Sequence, residues 1–340
     1  MKVRQAVVMV GGMGTRLRPL TENKPKPMLS VADKPCIWYL MRSLARAGIE
    51  EVILACGYKP GMMESLGDGS DLGIRIVYSY EDEPLGTAGA IKNVESRLDE
   101  VFVAANGDVF ADIDVRKEIE THFENNATVT IALTPVENPC EFGIARVDEE
   151  GRILEFKEKP KPEEVFSNLI NAGVYVVDRS VLFKVPHNSF YDFSKDLLNV
   201  LMKEGKRIQS YPLNGMWMDV GRPHDLLEAN LAVAEREYGL KRFDSAVECC
   251  TRDQFYLGPG ASIANSTTKK TVISEGSCVK DSNLDRVLIL KDCKIDGAKI
   301  VNSILGDGCV VKKGAEIRDA VLADGTVVGE GEKIQGDRIV

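Results

Sequence analysis

The sequence contains neither of the two common glycine-rich motifs of nucleotide-binding loops. No Gly-Lys-Ser or Gly-Lys-Thr triplet occurs in its 340 residues, which excludes a Walker A loop. A dinucleotide fingerprint needs G-x-G-x-x-G, but counting from Gly12 gives Gly14 and then Leu17 where the third glycine should stand. The missing glycine, together with the lack of an evident hydride-handling residue, argues against a dehydrogenase.

Cysteine and histidine patterns that bind zinc are also missing. The eight cysteines form no C-x-x-C pair and have no neighbouring histidine, so we predict reduced thiols with packing roles. The chain has three histidines, none in the context of an activated nucleophile, and we predict structural roles for them. The cysteines are residues 36, 56, 140, 249, 250, 278, 293 and 309, and the histidines are His122, His187 and His224.

The chain also has no long apolar run and no excess of positive charge. No run approaches the ~20 residues of a membrane span, and no terminal segment resembles a signal peptide. We therefore predict a cytoplasmic protein with no membrane partner. The net charge of -9 argues against a nucleic-acid partner. The length of 340 residues indicates two domains.

The sequence does contain a turn rich in glycine and cations directly after an apolar run. Residues 6–10 are continuously apolar, as in a central strand of an α/β sheet, and residues 11–29 read GGMGTRLRPLTENKPKPML. The three glycines of the turn bring backbone N–H groups close to an anion, and its cations match phosphate oxygens. We predict a nucleoside triphosphate loop rather than a plain turn with surface charge. Its glycines are Gly11, Gly12 and Gly14, and its cations are Arg16, Arg18, Lys24 and Lys26.

Hydrophobic periodicity predicts an α/β domain around this turn. Residues 37–45 have helical spacing, and Gly48 can end that helix in a left-handed conformation. Alternating strands and helices indicate a mostly parallel sheet with helices on both faces. The predicted strands are residues 52–55, 74–78, 101–105, 128–133 and 172–177, and a helix over 226–238 is predicted to link the domains.

The motif GGMGTRLRPLT followed by KPKPML resembles the signature of the sugar-1-phosphate nucleotidylyltransferases. Further matches follow in family order: EPLGTAGAI at 83–91, ANGDV at 105–109, EFGIARV at 141–147, EFKEKP at 155–160, NAGVYVVD at 171–178 and WMDVGRP at 217–223. The resemblance covers about the first 235 residues. It implies a Rossmann-like core in this α/β domain, and an enzyme that makes a nucleotide sugar and pyrophosphate from an NTP and a sugar 1-phosphate.

The resemblance also implies roles for individual residues. Asp108 and Asp219 would be the metal ligands, and oxygen ligation suits Mg²⁺ as the cofactor. Arg16, Lys26 and Lys159 would be catalytic, offsetting charge in the transition state. The residues expected to bind the nucleotide are Gly11, Gly12, Gly14, Thr15, Arg16, Lys26, Glu81, Pro84, Gly86 and Thr87. Those expected to bind the sugar phosphate are Gly107, Gly143, Glu158, Lys159 and Asn171.

The segments EPLGTAG and PKPM are most similar to those of mannose-1-phosphate guanylyltransferases, so GTP and mannose 1-phosphate are the predicted substrates. Two alternatives stay open. One is a glucose-1-phosphate thymidylyl-, uridylyl- or adenylyltransferase of broader specificity, because relatives with these segments accept several NTPs and sugars. The other is a non-catalytic regulatory or scaffold subunit of the same architecture. Against it stands the intact set Arg16, Lys26, Asp108, Lys159 and Asp219.

Beyond about residue 255 the pattern changes to short apolar steps between glycine, aspartate and asparagine. Apolar residues recur six apart, which is typical of a left-handed β-helix, here of about four coils. The positions are Val272, Cys278 and Leu284, then Ile289, Ile295 and Val301, then Ile304 and Val310, and then Val321 and Val327. An acyltransferase β-helix is disfavoured because no histidine follows His224.

The predicted domain organisation follows from these two patterns. We predict a catalytic nucleotidyltransferase domain over residues 1–235, a linker over 236–256 and the β-helix over 257–340. Because a stack of coils must dock or self-associate at its ends, we also expect a homo-oligomer formed in part through the β-helix.

Overall fold

The computed structural model describes residues 2–57, 60–238, 247–248, 255–336 and 338–339. The chain divides into two compact units. Unit 1 comprises Met1–Gly12 and Ile37–Trp217, and unit 2 comprises Met13–Cys36 and Met218–Val340. The glycine-rich turn therefore begins in unit 1 and continues into unit 2. Most of the predicted linker, residues 239–246 and 249–254, lies outside the described residues, as do Cys249 and Cys250.

The described residues up to 238 form thirteen strands and six α-helices. The strands are β1 Gln5–Met9, β2 Ser30–Val31, β3 Lys34–Pro35, β4 Glu51–Cys56, β5 Arg75–Tyr80, β6 Val101–Asn106, β7 Val109–Ile113, β8 Val129–Pro135, β9 Gly143–Val147, β10 Ile153–Glu158, β11 Leu169–Asp178, β12 Ile208–Pro212 and β13 Gly215–Asp219. The helices are α1 Cys36–Ala47, α2 Pro60–Met63, α3 Gly86–Asn93, α4 Val115–Glu124, α5 Leu198–Lys203 and α6 Pro223–Tyr238.

Unit 1 is built on a nine-stranded sheet whose main path is β10-β9-β11-β6-β1-β4-β5. Strands β6, β1, β4 and β5 are parallel, and β12 pairs in parallel with β8. Strand β11 joins them antiparallel to β6 and β8. The predicted Rossmann-like α/β core is confirmed. Strands β1, β4 and β6 are buried because apolar side chains fill both faces of the sheet there, whereas the edge strand β5 is largely half-buried or exposed.

Helix α1 shows how local sequence determines an element of this fold. Ile37, Leu40, Met41 and Leu44 recur at helical spacing and are buried, which confirms the predicted apolar face. The helix is followed by Gly48 at φ 90°, whose N–H donates to the carbonyl of Ala45 at 3.0 Å. A residue with a side chain is strained at that φ, so glycine permits the turn into β4.

The C-terminal part of unit 2 consists of short parallel strands stacked in coils. Ser262 pairs with Cys278 and Lys299 with Glu316, which are spacings of 16 and 17 residues. The strands are β14 Val247–Glu248, β15 Phe255–Leu257, β16 Ser262–Ala264, β17 Thr267–Ile273, β18 Cys278–Lys280, β19 Asn283–Ile289, β20 Lys294–Asp296, β21 Lys299–Leu305, β22 Val310–Val311, β23 Glu316–Arg318, β24 Val321–Leu322, β25 Val327–Val328, β26 Lys333–Gln335 and β27 Arg338–Ile339. The predicted β-helix is confirmed.

Each coil turns three corners, and a residue with positive φ stands at each corner. The first row of corners is Asn265, Asp281, Gly297, Gly314 and Gly331. The second is Lys270, Arg286, Asn302, Asp319 and Gly336, and the third is Gly260, Gly276, Asp292, Gly308 and Gly325. Glycine, asparagine and aspartate tolerate this conformation better than other residues, which explains the punctuation seen in the sequence.

The predicted hexad positions were partly wrong. Cys278 and Val327 are exposed, and their neighbours Val279 and Val328 fill the core instead. Side chains alternate between the two faces of a strand, so an error of one residue exchanges inside for outside. The number of coils was also too low, since six strands stack along one sheet, β14-β16-β18-β20-β22-β25, rather than about four.

The remaining structural predictions concern cysteines and membrane spans. None of the six described cysteines forms a disulfide. Four of the six are buried, as expected for packing residues, whereas Cys140 is half-buried and Cys278 is exposed. The six are Cys36, Cys56, Cys140, Cys278, Cys293 and Cys309. Within the described ranges, none of the helices has the length and apolar character needed to cross a bilayer.

Candidate active site

Asp108 lies at the carboxyl end of the central parallel strands of unit 1. The N–H of Gly107 donates to the carbonyl of Met9 at 2.8 Å, which joins the ends of β6 and β1. A Cβ on Gly107 would lie 2.5 Å from Cγ1 of Val10, so only glycine allows this close approach. A Cβ on Gly12 would lie 3.9 Å from Oδ2 of Asp108. The predicted strand-end carboxylate therefore borders the glycine-rich turn.

In unit 2 the turn continues into a cluster of two cations around one carboxylate. Nζ of Lys26 donates to Oδ1 of Asp219 at 3.3 Å, and NH2 of Arg16 lies 3.9 Å from Oδ2 of the same carboxylate. The Lys26 side chain is only 8% exposed, so its charge is held away from water and needs this partner. A Cβ on Gly221 would lie 2.8 Å from Asp219 and 2.9 Å from Arg16, so glycine leaves room for the pair.

Gly14 connects the turn to this cluster. It has φ 60° and precedes a 3₁₀ turn over Thr15–Leu17. A Cβ added to Gly14 would lie 3.1 Å from both Cβ of Lys26 and Cγ2 of Thr21, and the Thr21 hydroxyl donates to the Gly14 carbonyl at 2.8 Å. The backbone of the turn is thus packed directly on Lys26. Thr15 is exposed, as are Gly11 and Gly12 of unit 1.

The predicted base-binding segment of unit 1 surrounds the start of helix α3. The carboxylate of Glu81 accepts from the N–H of Leu85 at 3.2 Å, and burial raises its pKa. Gly86 has φ 70°, and a Cβ there would lie 2.8 Å from the carbonyl of Tyr191. The hydroxyl of Thr87 accepts from the N–H of Phe193 at 2.7 Å, so it is engaged within the protein. Pro84 is exposed.

Glu158 and Gly143 lie side by side on the paired strands β10 and β9 of unit 1. A Cβ on Gly143 would lie 2.6 Å from Oε2 of Glu158 and 2.3 Å from the Phe156 ring, so a side chain there would displace the carboxylate. Burial and then the nearby Asp192 raise the pKa of Glu158, while Lys159 and Lys195 act against them. Lys159 is exposed at φ 47°, and its N–H donates to the Phe142 carbonyl at 2.9 Å.

Asn171 belongs to a hydrogen-bonded group that includes side chains missed by the sequence analysis. Its Nδ2 donates to the hydroxyls of Tyr175 at 2.8 Å and Ser194 at 3.1 Å. Asp192 accepts from the N–H groups of Ser194 at 2.9 Å and Lys195 at 2.8 Å, and the Thr87 hydroxyl donates to it at 3.3 Å. The sequence Asp-Phe-Ser-Lys is a helix N-cap signal that could have indicated this aspartate.

The structure thus groups most predicted site residues within each unit. In unit 1, Asp108 borders Gly12, Glu158 borders Gly143, and Asn171 and Thr87 are joined through the segment containing Asp192. In unit 2, Arg16 and Lys26 meet Asp219. The two arginines and two lysines of the turn do not act alike, because Lys24 is directed to other carboxylates of unit 2.

Each unit contributes one aspartate with the donor chemistry of a divalent metal ligand. The described part of the chain contains no cluster of three or more His, Cys, Asp or Glu side chains suited to a metal. Mg²⁺ is commonly held by one or two carboxylates, with substrate phosphates and water completing its shell. Asp108 and Asp219 are partly exposed aspartates with this donor chemistry, so they fit such a cation.

Comparison with known proteins agrees with this geometry. The family model described as "Nucleotidyl transferase" matches residues 5–236, and a model described as "GlmU-like, C-terminal hexapeptide" matches residues 257–339. The mannose-1-phosphate guanylyltransferase of Mycobacterium tuberculosis is 36% identical over 91% of this chain and 83% of its own length. The mannose-1-phosphate guanyltransferase of Yarrowia lipolytica is 39% identical over 66% of this chain and 62% of its own length.

A solved structure from Bacillus anthracis, provisionally assigned as a glucose-1-phosphate thymidylyltransferase and crystallised with a sucrose, superimposes with a TM-score of 0.62. It is 26% identical and covers 71% of this chain and 98% of its own. All three names describe nucleotidyl transfer to a sugar 1-phosphate, the activity that the sequence predicted. The chain therefore belongs to the Nucleotidyl transferase family and is a transferase with a C-terminal hexapeptide-type left-handed β-helix.

Proposed function

We propose that this protein transfers a guanylyl group from GTP to mannose 1-phosphate, giving GDP-mannose and pyrophosphate. The observation that carries catalysis is the cluster in which Lys26 and Arg16 surround Asp219. A buried lysine is costly unless a carboxylate compensates its charge. A purely regulatory subunit would have no need of such a buried pair in the signature segment. The choice of GTP and mannose 1-phosphate is supported by the names of the similar guanylyltransferases.

The turn and its cations would bind the triphosphate. Gly11, Gly12 and Gly14 would offer their backbone N–H groups to the phosphates, and Thr15 is exposed beside them. Arg16 is 52% exposed and can move towards a phosphate, whereas Lys26 is nearly buried and can only act where it lies. In the proposed reaction an oxygen of the sugar phosphate attacks the α-phosphorus in line and pyrophosphate leaves. Arg16, Lys26 and Lys159 then offset the negative charge that develops.

Asp108 and Asp219 are the proposed ligands of the metal, for which Mg²⁺ is our first choice. A bound divalent cation would hold and neutralise the phosphates of the triphosphate. The chain's own contribution is to orient these carboxylates. Gly107 and Gly12 border Asp108, and Lys26, Arg16 and Gly221 border Asp219.

Unit 1 would read both the base and the sugar. We propose that Glu81, Pro84, Gly86 and Thr87 border the nucleobase. Glu158, beside Gly143, would accept hydrogen bonds from sugar hydroxyls, Lys159 would bind the sugar phosphate, and Gly107 and Asn171 would line the same site. Asn171 would act through the hydroxyl network that it organises.

A second candidate is a glucose-1-phosphate thymidylyltransferase, because the similar solved structure carries that name. A non-catalytic scaffold is a third. The proposed domain boundaries are those of the sequence analysis, and the homo-oligomer and the cytoplasmic location stay predictions.

One experiment separates these candidates. Purified protein with Mg²⁺ is incubated with each of GTP, ATP, UTP, CTP and dTTP against mannose, glucose, galactose, glucosamine and N-acetylglucosamine 1-phosphates, and pyrophosphate release is measured. A dominant signal for GTP with mannose 1-phosphate would support the proposal. Dominance of dTTP with glucose 1-phosphate would favour the second candidate. Silence in folded protein that still binds an NTP would overturn catalysis.

A further inference from the structure

Lys24 stands two residues before Lys26 in the signature segment, but its side chain is already bound elsewhere in unit 2. Its Nζ donates to Oδ2 of Asp307, and the carboxylate of Asp324 lies 3.6 Å away. The Lys24 side chain is 17% exposed. A lysine held between two carboxylates is not free to follow phosphate oxygens, so its role differs from that of Arg16 and Lys26.

The two carboxylates belong to a row on the β-helix that is built to hold them in place. Glu275, Lys291, Asp307 and Asp324 each precede a residue of the third row of corners, and we call them the clamp row. Oδ1 of Asp307 accepts from the N–H of Lys291 at 3.1 Å, and Oδ1 of Asp324 accepts from the N–H of Asp307 at 2.9 Å. One oxygen of each aspartate thus binds the backbone of the preceding coil, and the other is turned to Lys24.

A second attachment lies nine residues further along the segment. Oδ1 of Asp33 accepts from the N–H of Glu275 at 2.9 Å, at the other end of the clamp row. A Cβ on Gly258 would lie 2.3 Å from Oδ2 of Asp33, so the contact needs glycine on the β-helix. The segment is also held by α6, because the N–H of Ala32 donates to Oδ1 of Asn230 at 2.9 Å.

We propose that Lys24 is a positioning residue, and that the clamp row of the β-helix places Lys26 and the glycine-rich turn for the reaction. Lys26 lies between the two attachments at Lys24 and Asp33, in a 3₁₀ turn over Lys26–Met28. Fixing both sides of a short segment fixes the lysine within it. The C-terminal domain is therefore part of the catalytic apparatus and acts through this segment. The inference rests on the proposed function, since it names a positioning residue for that site.

The test compares Lys24→Met, Lys24→Arg, Asp307→Asn and the double variant Lys24→Met/Asp307→Asn in the full-length protein. Asn at 307 can still accept from Lys291, so the coil is kept while the charge is lost. Lys269→Met is the matched control, because Lys269 forms an exposed ion pair with Asp285 on the same β-helix, 3.3 Å long. Melting temperatures are measured first, so that unfolded variants are recognised.

We expect Lys24→Met and Asp307→Asn each to lower kcat about 10- to 100-fold, the scale of a small misplacement of catalytic groups. The KM for the sugar phosphate should change little. Lys24→Arg should keep most of the activity. The double variant should be no less active than Lys24→Met, because each single change already removes the same contact between Lys24 and Asp307. If Lys24→Met lowers kcat while Asp307→Asn does not, Lys24 binds phosphate directly and the proposal is wrong. Unchanged kcat in Lys24→Met also overturns it.

Amide hydrogen exchange tests the clamp without relying on activity. Exchange in residues 24–33 should rise in Lys24→Met and Asp307→Asn but not in Lys269→Met, and exchange in the central strands of unit 1 should stay as in the wild type. If exchange rises in these variants but the wild-type protein shows no transferase activity, the clamp is supported and the proposed function is rejected. Unchanged exchange in residues 24–33 would reject the clamp whatever the activity.

Discussion

Nζ of Lys26 lies 3.3 Å from Oδ1 of Asp219, although the two residues are 193 positions apart in the sequence. The contact joins the signature segment to the WMDVG turn, and Arg16 completes it at 3.9 Å from the other carboxylate oxygen. Asp219 is therefore balanced by cations before any substrate binds. Among the side chains of the signature segment, Lys26 is therefore the one whose loss should lower turnover most.

Replacing Lys26 by alanine should lower turnover at least ~10²-fold, the scale for loss of a donor that acts on the transition state. The change also removes one of the two cations beside Asp219, so some loss of stability is expected as well. Steady-state kinetics of pyrophosphate release measure the effect. Lys333→Ala, which breaks an exposed ion pair with Glu316, serves as the control. Near-normal turnover in folded Lys26→Ala protein would contradict the assignment.

Asp108→Asn should lower turnover at least ~10²-fold, the scale of a lost transition-state interaction, and should raise the Mg²⁺ concentration needed for half-maximal rate. The amide keeps the shape of the side chain but removes the charge that binds a cation. A titration of rate against Mg²⁺ separates the two effects. Asp285→Asn on the β-helix is the control for loss of one negative charge. An unchanged Mg²⁺ requirement would argue against Asp108 as a metal ligand.

His122 on helix α4 should make the protein less stable in mild acid. Burial lowers the pKa of its imidazole to about 4, and Nδ1 lies 3.1 Å from the hydroxyl of Thr130. The unfolded chain takes up a proton near pH 6.5, so stability is complete above that pH and is lost as pH falls towards 4. The loss should reach about 3 kcal/mol below pH 4.

Urea unfolding of the wild type and of His122→Gln at pH 7.5 and at pH 4.5 measures this contribution. Glutamine can still hydrogen-bond with Thr130 but does not titrate. The wild type should lose more stability than the variant between the two pH values. Equal losses would show that the imidazole is not responsible.

Glu118, one turn before His122 on α4, should have the opposite dependence on pH. It is fully buried, and burial raises its pKa well above the usual value. Because its folded pKa exceeds the unfolded value of 4.5, stability is present below pH 4.5 and is lost as pH rises towards the folded pKa. The free energy of unfolding of Glu118→Gln relative to the wild type should therefore increase with pH. The increase should reach at least ~1 kcal/mol at pH 8, the scale of a buried polar group.

Thermal unfolding of both proteins between pH 4 and pH 8 tests this difference. Glu120→Gln is the matched control, because Glu120 lies on the exposed side of the same helix. A constant difference between wild type and Glu118→Gln across this range would mean that Glu118 does not titrate in the folded protein.

The elements of unit 1 were predictable because their signals are local. The apolar run before Gly11, the helical spacing from Ile37 to Leu44 and the turn at Gly48 each reflect a preference of a short segment. The β-helix was also recognisable from its punctuation. Its register was not, because Cys278 and Val279 have similar apolar character and only stacking against neighbouring coils decides which one faces inward.

The candidate site was predictable to the same extent. Resemblance identified Lys26 and Asp219, whereas the charge pattern of the turn wrongly grouped Lys24 with the phosphate-binding cations. It also missed Asp192, whose partners Thr87 and Ser194 come from other segments. Charge and residue type do not reveal the partner of a side chain.

The sequence by itself determined the central strands of unit 1, helices α1 and α6, the β-helix, the family and the set of charged residues available for catalysis. These properties depend on spacing and on side-chain chemistry, which can be read along the chain. The tertiary structure alone decided that Lys26 meets Asp219, that Lys24 meets Asp307 and that Val279 rather than Cys278 is buried. Each of these is a contact between segments that are distant in sequence, or depends on one, and its energy depends on distances that only the folded chain sets.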